Sequence, residues 1–260
     1  MSYETLLFDV KDGVAHIRLN REKAANALNL HMCRDLQDAA LCCQSDASVR
    51  AVVISAEGKM FCAGGDLSAF SGAADAAPRL LKEMTIHLHA AISRFARMDA
   101  PVIGAVTGTA AGAGFSLVAA MDIAIAGESA KFTMAYTRVG LTPDGSSSWF
   151  LPRLIGARRS LELMLTNRLL KAPEALEWGI LNQVVPDDAV LETAMQLASQ
   201  LAQGPTGAFG VTKRLVLASG SGSLETQMEM EGDAIAAASG TPDGREGIAA
   251  FLEKRPAKFD

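Results

Sequence analysis

Apolar positions in the first half of the chain follow the pattern of short strands. Two runs rich in branched apolar residues, at 4–10 and 14–19, flank the turn sequence Lys-Asp-Gly, which is typical of a β-hairpin. Continuous apolar runs at 50–56, 101–106 and 122–126 are typical of strands buried on both faces of a sheet.

Helical periodicity separates these strands. Apolar residues recur every three or four positions at 30–44 and 78–97, which predicts two helices. Strands and helices that alternate at this spacing predict crossover connections and a mostly parallel sheet. The predicted fold class is therefore α/β.

After Gly156 strand-like runs almost disappear and the helical period dominates. The predicted helices of this half span 157–166, 173–178, 187–203, 206–218, 223–238 and 243–254. A chain of 260 residues suits one large domain with an appendage. We predict a core over residues 1–200 and a C-terminal helical region over residues 201–260.

Composition narrows the classes of function. The formal net charge of −5 argues against a nucleic-acid surface, which needs a basic stripe. No apolar run approaches the roughly eighteen residues of a membrane span, and the opening MSYETLLFDV carries acids where a signal peptide needs a positive start. The expected compartment is the cytoplasm. The four cysteines form no CxxC pair, so we expect reduced thiols.

Two loops of small residues follow predicted strands. VTGTAAGAGFSLVAAMD, at 106–122, either packs a tight strand-to-helix turn or exposes backbone N–H groups to a developing negative charge. FCAGGDLSAF, at 61–70, taken alone is an ordinary turn. The pair is more informative, because an oxyanion hole usually takes one N–H group from each of two segments. The glycine spacing does not fit a dinucleotide site.

A third segment, GLTPDGSSSWFLPRL, holds the single carboxylate Asp144 between a proline and a glycine. Asp144 is either a turn residue or a catalytic base. Ser116 lacks the G-x-S-x-G elbow of a serine hydrolase. His87 and His89 lie two positions apart on a predicted helix, on nearly opposite faces, and no metal-ligand spacing appears.

Several motifs occur in an order that extends over nearly the whole chain: NREKAANAL, FCAGGDL, AVTGTAAGAGFSL with MDIAIA, VGLTPDG, FLPRLIG and REGIAAFLEKRPAKF. Together they resemble the crotonase superfamily, the enoyl-CoA hydratase/isomerase proteins. The resemblance implies a ββα superhelix core with a C-terminal helical region that packs trimers, as a trimer or a dimer of trimers. It also implies an acyl-CoA thioester substrate and no separate cofactor, since coenzyme A is part of the substrate.

Matched motif by motif, the resemblance implies roles for particular residues. The two oxyanion amides fall on Gly65 and on Ala113, which replaces a common glycine but keeps the backbone N–H. The residues that the resemblance places against coenzyme A are Lys23, Ala24, Ala25, the segment from Ala63 to Asp66 near the adenine, and Phe251 and Lys254 across a subunit interface.

Hydratases of this superfamily use two glutamates, and Ser116 and Tyr136 stand at those positions. Adding water needs an activated nucleophile and a delivered proton, and serine and tyrosine with ordinary pKa values are poor bases near neutrality. We expect Tyr136 either to hydrogen-bond the substrate or to fill the space of the missing glutamate.

In several isomerases of the superfamily an acid in the loop of Asp144 is the working base, and a double-bond shift needs only one. The PDG-x-x-x-W-x-LPR loop most resembles the 3,2-enoyl-CoA isomerase type, which includes the ring-epoxide isomerases of phenylacetate degradation. The alternatives are an enoyl-CoA hydratase (a lyase) of fatty-acid or aromatic degradation, an aryl-CoA dehalogenase with Asp144 as nucleophile, and a crotonase-fold scaffold that binds acyl-CoA, or RNA, without chemistry. The acidic composition disfavours RNA.

Overall fold

The computed structural model describes residues 3–259 and contains two sheets. The strands are β1 (Leu6–Lys11), β2 (Val14–Leu19), β3 (Ala51–Ala56), β4 (Val102–Val106), β5 (Thr109–Ala111), β6 (Ile123–Gly127), β7 (Lys131–Thr133), β8 (Leu170–Lys171) and β9 (Gln183–Val185). The helices are α1 (Leu30–Ser45), α2 (Leu67–Ala73), α3 (Ala77–Arg97), α4 (Ala113–Ala119), α5 (Ser147–Thr166), α6 (Ala172–Glu177), α7 (Val190–Ala202), α8 (Thr206–Ala218), α9 (Leu224–Ser239) and α10 (Pro242–Glu253).

The larger sheet has the strand order β1-β2-β3-β4-β6-β9. Strands β1 and β2 form the expected antiparallel hairpin, and Asp12 and Gly13 at its tip both have positive φ angles, as a two-residue primed turn requires. The other pairs in this sheet are parallel. The α/β prediction is therefore confirmed.

Side chains alternate across this sheet and supply two apolar layers. On one face Val53, Ile103 and Ile125 pack with Val190 and Ala194 of α7. The opposite face packs against α1 and α3 in a larger cluster that contains Ile17, Val52, Ile54, Leu36 and Phe95. Burial on both faces explains why these strands are continuous apolar runs.

A smaller sheet, of order β5-β7-β8, stands beside the first one. It holds the loop between β4 and α4 in place, because β5 pairs in parallel with β7 and the Cys62 residue forms an isolated bridge with Ala110. This bridge brings the two small-residue loops of the sequence side by side.

The second half differs from the prediction in helix α5 and in two strands. Helix α5 begins at Ser147, ten residues before the predicted start, and includes Pro152 with a non-helical kink at Gly156. Strands β8 and β9 are not predicted because each has only two or three residues, and β9 forms the far edge of the larger sheet. None of the helices in residues 3–259 is long and apolar enough to cross a bilayer.

Candidate active site

A cavity of about 420 Å³ opens where the two small-residue loops meet the loop that precedes α5. Its wall is mostly apolar. The lining residues are Leu28, Cys33, Ala63, Gly64, Gly65, Leu67, Phe70, Leu81, Met84, Thr85, Leu88, Gly112, Ala113, Ala135, Tyr136, Arg138, Val139, Leu141, Thr142 and Asp144.

The segment 62–66 forms one wall and is held by backbone hydrogen bonds on both sides. On one side the Leu28 N–H donates to the Gly64 carbonyl at 2.7 Å, and on the other the Ala111 N–H donates to the Cys62 carbonyl at 2.8 Å. The chain therefore runs through the site as a fixed, extended segment between two neighbours.

Glycine is required where this segment meets the second loop. Gly64 has a φ angle of +94°, and a β-carbon on it would lie 2.9 Å from the Ala111 carbonyl oxygen. A side chain here would be strained and would collide with backbone. The close approach places Gly64 next to Gly112 and Ala113.

Gly65 and Ala113 both line the cavity, and neither backbone N–H donates a hydrogen bond to another backbone group among residues 3–259. Ala113 is the first residue of α4, so no carbonyl of the helix lies four positions before its N–H. Two such donors, one from each loop, form the arrangement that stabilises a developing oxyanion.

Asp144 closes the opposite side of the cavity from a tight turn. The Ser147 N–H and the Ser147 hydroxyl both donate to the Asp144 carbonyl, at 3.3 and 3.0 Å, and Gly145 and Ser146 between them have positive φ angles. Asp144 is thus a turn residue by its backbone and a cavity residue by its side chain. It is the only carboxylate among the lining residues.

Tyr136 and Ser116 connect to this carboxylate. The Tyr136 hydroxyl donates to Asp144 Oδ1 at 2.8 Å, and Ser116 Oγ lies 3.1 Å from the Tyr136 oxygen. Burial, and then the negative charge of Asp144, raise the pKa of the Tyr136 hydroxyl above its ordinary value. Tyr136 therefore stays protonated and does more than fill the space of a missing glutamate.

His89 is a neighbour of Asp144 that sequence reasoning missed. Its Nε2 atom lies 3.6 Å from Asp144 Oδ2 and accepts a hydrogen bond from the Gly145 N–H at 3.3 Å. Fifty-five positions of chain separate the two residues, so only the tertiary structure reveals the contact. In the structure Thr85 and Leu88 line the cavity, and His89 follows Thr85 by one helical turn.

The negative charge of Asp144 also affects the pKa of the buried thiol of Cys33. Burial, and then the Asp144 charge, raise the pKa of Cys33 to about 12. A thiol with this pKa remains protonated near neutral pH, which makes it a poor nucleophile.

The predicted site residues divide into two groups. The structure brings Gly65, Ala113, Asp144 and Ala63 to one cavity. The remaining predicted contacts to coenzyme A do not line it: Lys23, Ala24, Ala25, Asp66, Phe251 and Lys254.

Some of this second group nevertheless lies near the cavity rim. The Ala25 carbonyl accepts from the Ala63 N–H at 3.0 Å. The Asp66 carboxylate caps α2 and pairs with Arg21 at 3.0 Å, which gives it a structural role. Phe251 on α10 is 84% exposed, and Lys254 at the end of α10 is exposed. Their contact with coenzyme A stays a prediction.

Comparisons with known proteins agree on one family. A family model described as enoyl-CoA hydratase/isomerase matches residues 9–260. The chain is 38% identical over 257 residues to the 1,2-epoxyphenylacetyl-CoA isomerase of Escherichia coli (strain K12), with 98% of each chain covered. It is 36% identical over 244 residues to 4-chlorobenzoyl coenzyme A dehalogenase-2 of an Arthrobacter species, with 94% of this chain and 88% of the relative covered.

The fold comparison gives the same answer. The crystal structure of an enoyl-CoA hydratase from Polaromonas sp. JS666 matches with a TM-score of 0.94 and 32% sequence identity, covering 98% of this chain and 99% of the other.

Proposed function

The chain belongs to the enoyl-CoA hydratase/isomerase family, and within it we propose that the protein is an acyl-CoA isomerase that shifts a double bond from the 3 to the 2 position of an enoyl thioester. The family and the crotonase-like fold class expected from the sequence are confirmed. The observation that carries the proposal is one apolar cavity lined by a single carboxylate, Asp144, and by Gly65 and Ala113, whose N–H groups donate to no backbone acceptor among residues 3–259.

The two amides supply the electrostatic part of the reaction. The thioester carbonyl oxygen accepts hydrogen bonds from the N–H groups of Gly65 and Ala113. These bonds strengthen as the α proton leaves, because negative charge then accumulates on that oxygen. The amides are fixed by the chain and need no reorganisation during the reaction.

Asp144 supplies the proton transfer. Its carboxylate removes the α proton from a 3-enoyl thioester, which leaves a dienolate held by the two amides. The same carboxyl group then returns the proton to the γ carbon, and the double bond moves to the 2 position. The proton count balances with one acid and no water.

Hydration is disfavoured by the same residues. Ser116 and Tyr136 stand at the two acid positions of the hydratases, and both hydroxyls belong to a hydrogen-bonded group that ends on Asp144. The raised pKa of Tyr136 removes it as a base. One carboxylate must then both activate water and protonate the α carbon, which needs two positioned groups.

The cavity wall supports an apolar acyl group. Leucine, methionine, valine and phenylalanine side chains provide most of the lining: Leu67, Phe70, Leu81, Met84, Leu88, Val139 and Leu141. An apolar chain or ring gains roughly 25 cal/mol for each Å² removed from water here. We propose such substrates over acyl groups that carry charge.

The test compares two reactions of the purified protein. We expect turnover of a 3-enoyl-CoA with slow or absent hydration of crotonyl-CoA, and we expect Asp144→Asn to lower kcat about 10²- to 10⁴-fold. Fast hydration of crotonyl-CoA by the native protein overturns the isomerase assignment. Full isomerase activity in Asp144→Asn overturns the mechanism. Coenzyme A binding without turnover of any acyl-CoA favours the scaffold alternative.

A second candidate uses the same carboxylate as a nucleophile. The similarity to the Arthrobacter dehalogenase favours it, because attack on a halogenated aryl ring needs an accessible carboxylate in an apolar cavity. Release of chloride from 4-chlorobenzoyl-CoA, measured beside the isomerisation assay, distinguishes the two reactions.

We also propose that the C-terminal helices pack against other copies of this chain, as a trimer or a dimer of trimers. Helix α9 has no buried residue within the described chain, and α8, α9 and α10 all expose large apolar side chains. The most exposed of these are Val216, Leu224, Ile235, Phe251 and Leu252. Light scattering of the purified protein tests the assembly, and a monomer at micromolar concentration contradicts it.

A further inference from the structure

The two oxygens of Asp144 have different surroundings. Oδ1 accepts the 2.8 Å hydrogen bond from Tyr136, whereas no group in residues 3–259 donates to Oδ2. His89 Nε2 lies 3.6 Å from Oδ2, and its lone pair accepts from the Gly145 N–H. A ring nitrogen that accepts this bond has no proton of its own to donate to Oδ2.

The hydrogen bond between Tyr136 and Asp144 determines the direction of the hydrogen bond between Ser116 and Tyr136. Tyr136 has one hydroxyl proton and three possible acceptors: Asp144 Oδ1 at 2.8 Å, Ser116 Oγ at 3.1 Å and the Asp144 carbonyl at 3.4 Å. The carboxylate oxygen is the strongest of them and the nearest. The 3.1 Å contact between Ser116 and Tyr136 is then a hydrogen bond only if Ser116 donates to the tyrosine oxygen. Ser116 is fully buried, and its other possible acceptor is the Gly112 carbonyl at 3.2 Å.

We infer that Tyr136 is a positioning residue for Asp144, supported in turn by Ser116, and that it leaves Oδ2 as the oxygen that carries the proton. The inference rests on the proposed isomerase function and extends it to a second pair of residues. The hydroxyl fixes the rotation of the carboxylate about its terminal torsion, which is otherwise broad. The same oxygen must face the α carbon when it takes the proton and the γ carbon when it returns it, so a fixed carboxylate serves both steps.

In this arrangement Ser116 and Tyr136, at the two positions where hydratases carry acids, act together on Asp144. Ser116 does not contact the substrate in this scheme and acts only through Tyr136. Tyr136 acts only through Asp144. Because Ser116 acts through Tyr136 and Tyr136 acts through Asp144, removing both hydroxyls should lower kcat no more than removing the Tyr136 hydroxyl alone.

The variants are chosen to remove one hydroxyl each. Tyr136→Phe keeps the ring and its packing, and Ser116→Ala removes the donor to Tyr136. The chain has two tyrosines, so Tyr3→Phe is a matched control. The Tyr3 hydroxyl donates to Asp38 at 2.9 Å, and Tyr3 does not line the cavity. Thermal melts of all variants report whether the fold is kept.

With a 3-enoyl-CoA substrate, we expect Tyr136→Phe to lower kcat about 10- to 100-fold with KM changed less than about twofold, because a hydrogen bond to a charged group is lost. Ser116→Ala lowers kcat less, and the double variant matches Tyr136→Phe. Tyr3→Phe keeps the native kcat. A native kcat in Tyr136→Phe, a change confined to KM, or multiplied effects in the double variant overturn the inference.

A second readout separates this inference from the proposed function. Exchange of the α protons of a saturated acyl-CoA in deuterated water requires the amides and Asp144 but no double bond. If the native protein exchanges these protons without isomerising 3-enoyl-CoA, and Tyr136→Phe slows the exchange, the isomerase assignment fails and the role of Tyr136 stands. If Tyr136→Phe exchanges at the native rate, the role of Tyr136 fails. A native protein that does neither reaction overturns both.

Discussion

Gly64 lies so close to Ala113 that a β-carbon on the glycine would stand 3.4 Å from the Ala113 amide nitrogen. This contact joins the two loops whose amides face the cavity. The distance between the two proposed oxyanion donors therefore depends on the absence of a side chain at Gly64.

The first prediction concerns that glycine. Gly64→Ala forces an alanine to a φ angle of +94° and places its methyl group 2.9 Å from the Ala111 carbonyl oxygen. We expect a loss of about 1–3 kcal/mol in the free energy of unfolding and a fall in kcat of at least about tenfold, as the loops separate. Denaturant melts and steady-state kinetics measure the two effects.

Gly72→Ala is the matched control, because Gly72 lies in α2 with no atom near the position of a β-carbon. This variant is expected to keep kcat and to gain up to about 1 kcal/mol in stability. Equal behaviour of the two glycine variants contradicts the argument.

The second prediction concerns the ion pair between Lys213 of α8 and Asp122. The two groups are 2.7 Å apart, and the ammonium also donates to the carbonyls of Phe95 and Ala100. Burial lowers the pKa of Lys213 and raises the pKa of Asp122, while the ion pair opposes both shifts. Lys213→Met should cost about 1–3 kcal/mol, because it leaves unpaired a carboxylate whose side chain is only 24% exposed.

Two further variants of this pair sharpen the test. Combining Lys213→Met with Asp122→Asn should restore part of the loss, since the amide oxygen still accepts from the Val102 N–H without a charge. Arg214→Met removes the neighbouring, largely exposed pair with Asp99 and should cost less than about 1 kcal/mol. Denaturant melts that give equal losses for Lys213→Met and Arg214→Met refute the distinction.

The third prediction is a pH dependence of stability that depends on His16. This side chain is buried and hydrogen-bonds Ser55 at 2.8 Å, and burial, followed by the nearby Arg18, lowers its pKa. The unfolded chain binds the proton more readily than the folded chain does. Stability is therefore fully present above about pH 6.5 and falls as the pH decreases below it.

His16→Gln should flatten this slope, because glutamine can pair with Ser55 but does not titrate. The exposed His31 offers the control His31→Gln, which should keep the native slope. Melting temperatures between about pH 5 and pH 8 test both variants, and a native slope in His16→Gln argues against this assignment.

The fourth prediction uses the cysteines. Burial raises the pKa values of Cys33, Cys43 and Cys62 to about 12, whereas Cys42 is partly exposed. A thiol reagent at about pH 8 should modify at most one group in the native protein and all four after unfolding. Cys42→Ser should remove the native reaction. Fast modification of a second thiol in the native protein contradicts the packing described for α1.

Local sequence predicted those elements whose burial is uniform. Helices α1 and α3 begin and end within one residue of their predicted bounds, and the hairpin turn at Asp12 and Gly13 formed as expected. The sequence did not predict the elements whose bounds depend on packing against distant parts of the chain. Helix α5 tolerates Pro152 in its interior, and the three residues of β9 become a strand because β6 offers a free edge.

The candidate site shows the same division. Gly65, Ala113 and Asp144 were predicted because each lies in a motif that contributes to the family resemblance, and the structure brings all three to one cavity. The contacts of Asp144 with Tyr136 and His89 were not found, because they join segments that meet only in the folded chain. The local sequence around Tyr136 and Asp144 does not predict the 2.8 Å hydrogen bond between their side chains.

The packing around Ser116 restricts how one activity of the family can change into another. Ser116 is fully buried and contacts Tyr136. On its other side, a β-carbon added to Gly145 would lie 3.0 Å from the β-carbon of Ser116. A glutamate at 116 has no space while the tyrosine remains, and a glutamate at 136 places a second negative charge beside Asp144. An evolutionary or engineered route from isomerase to hydratase must therefore exchange at least two of these three side chains together, through intermediates that perform neither reaction well.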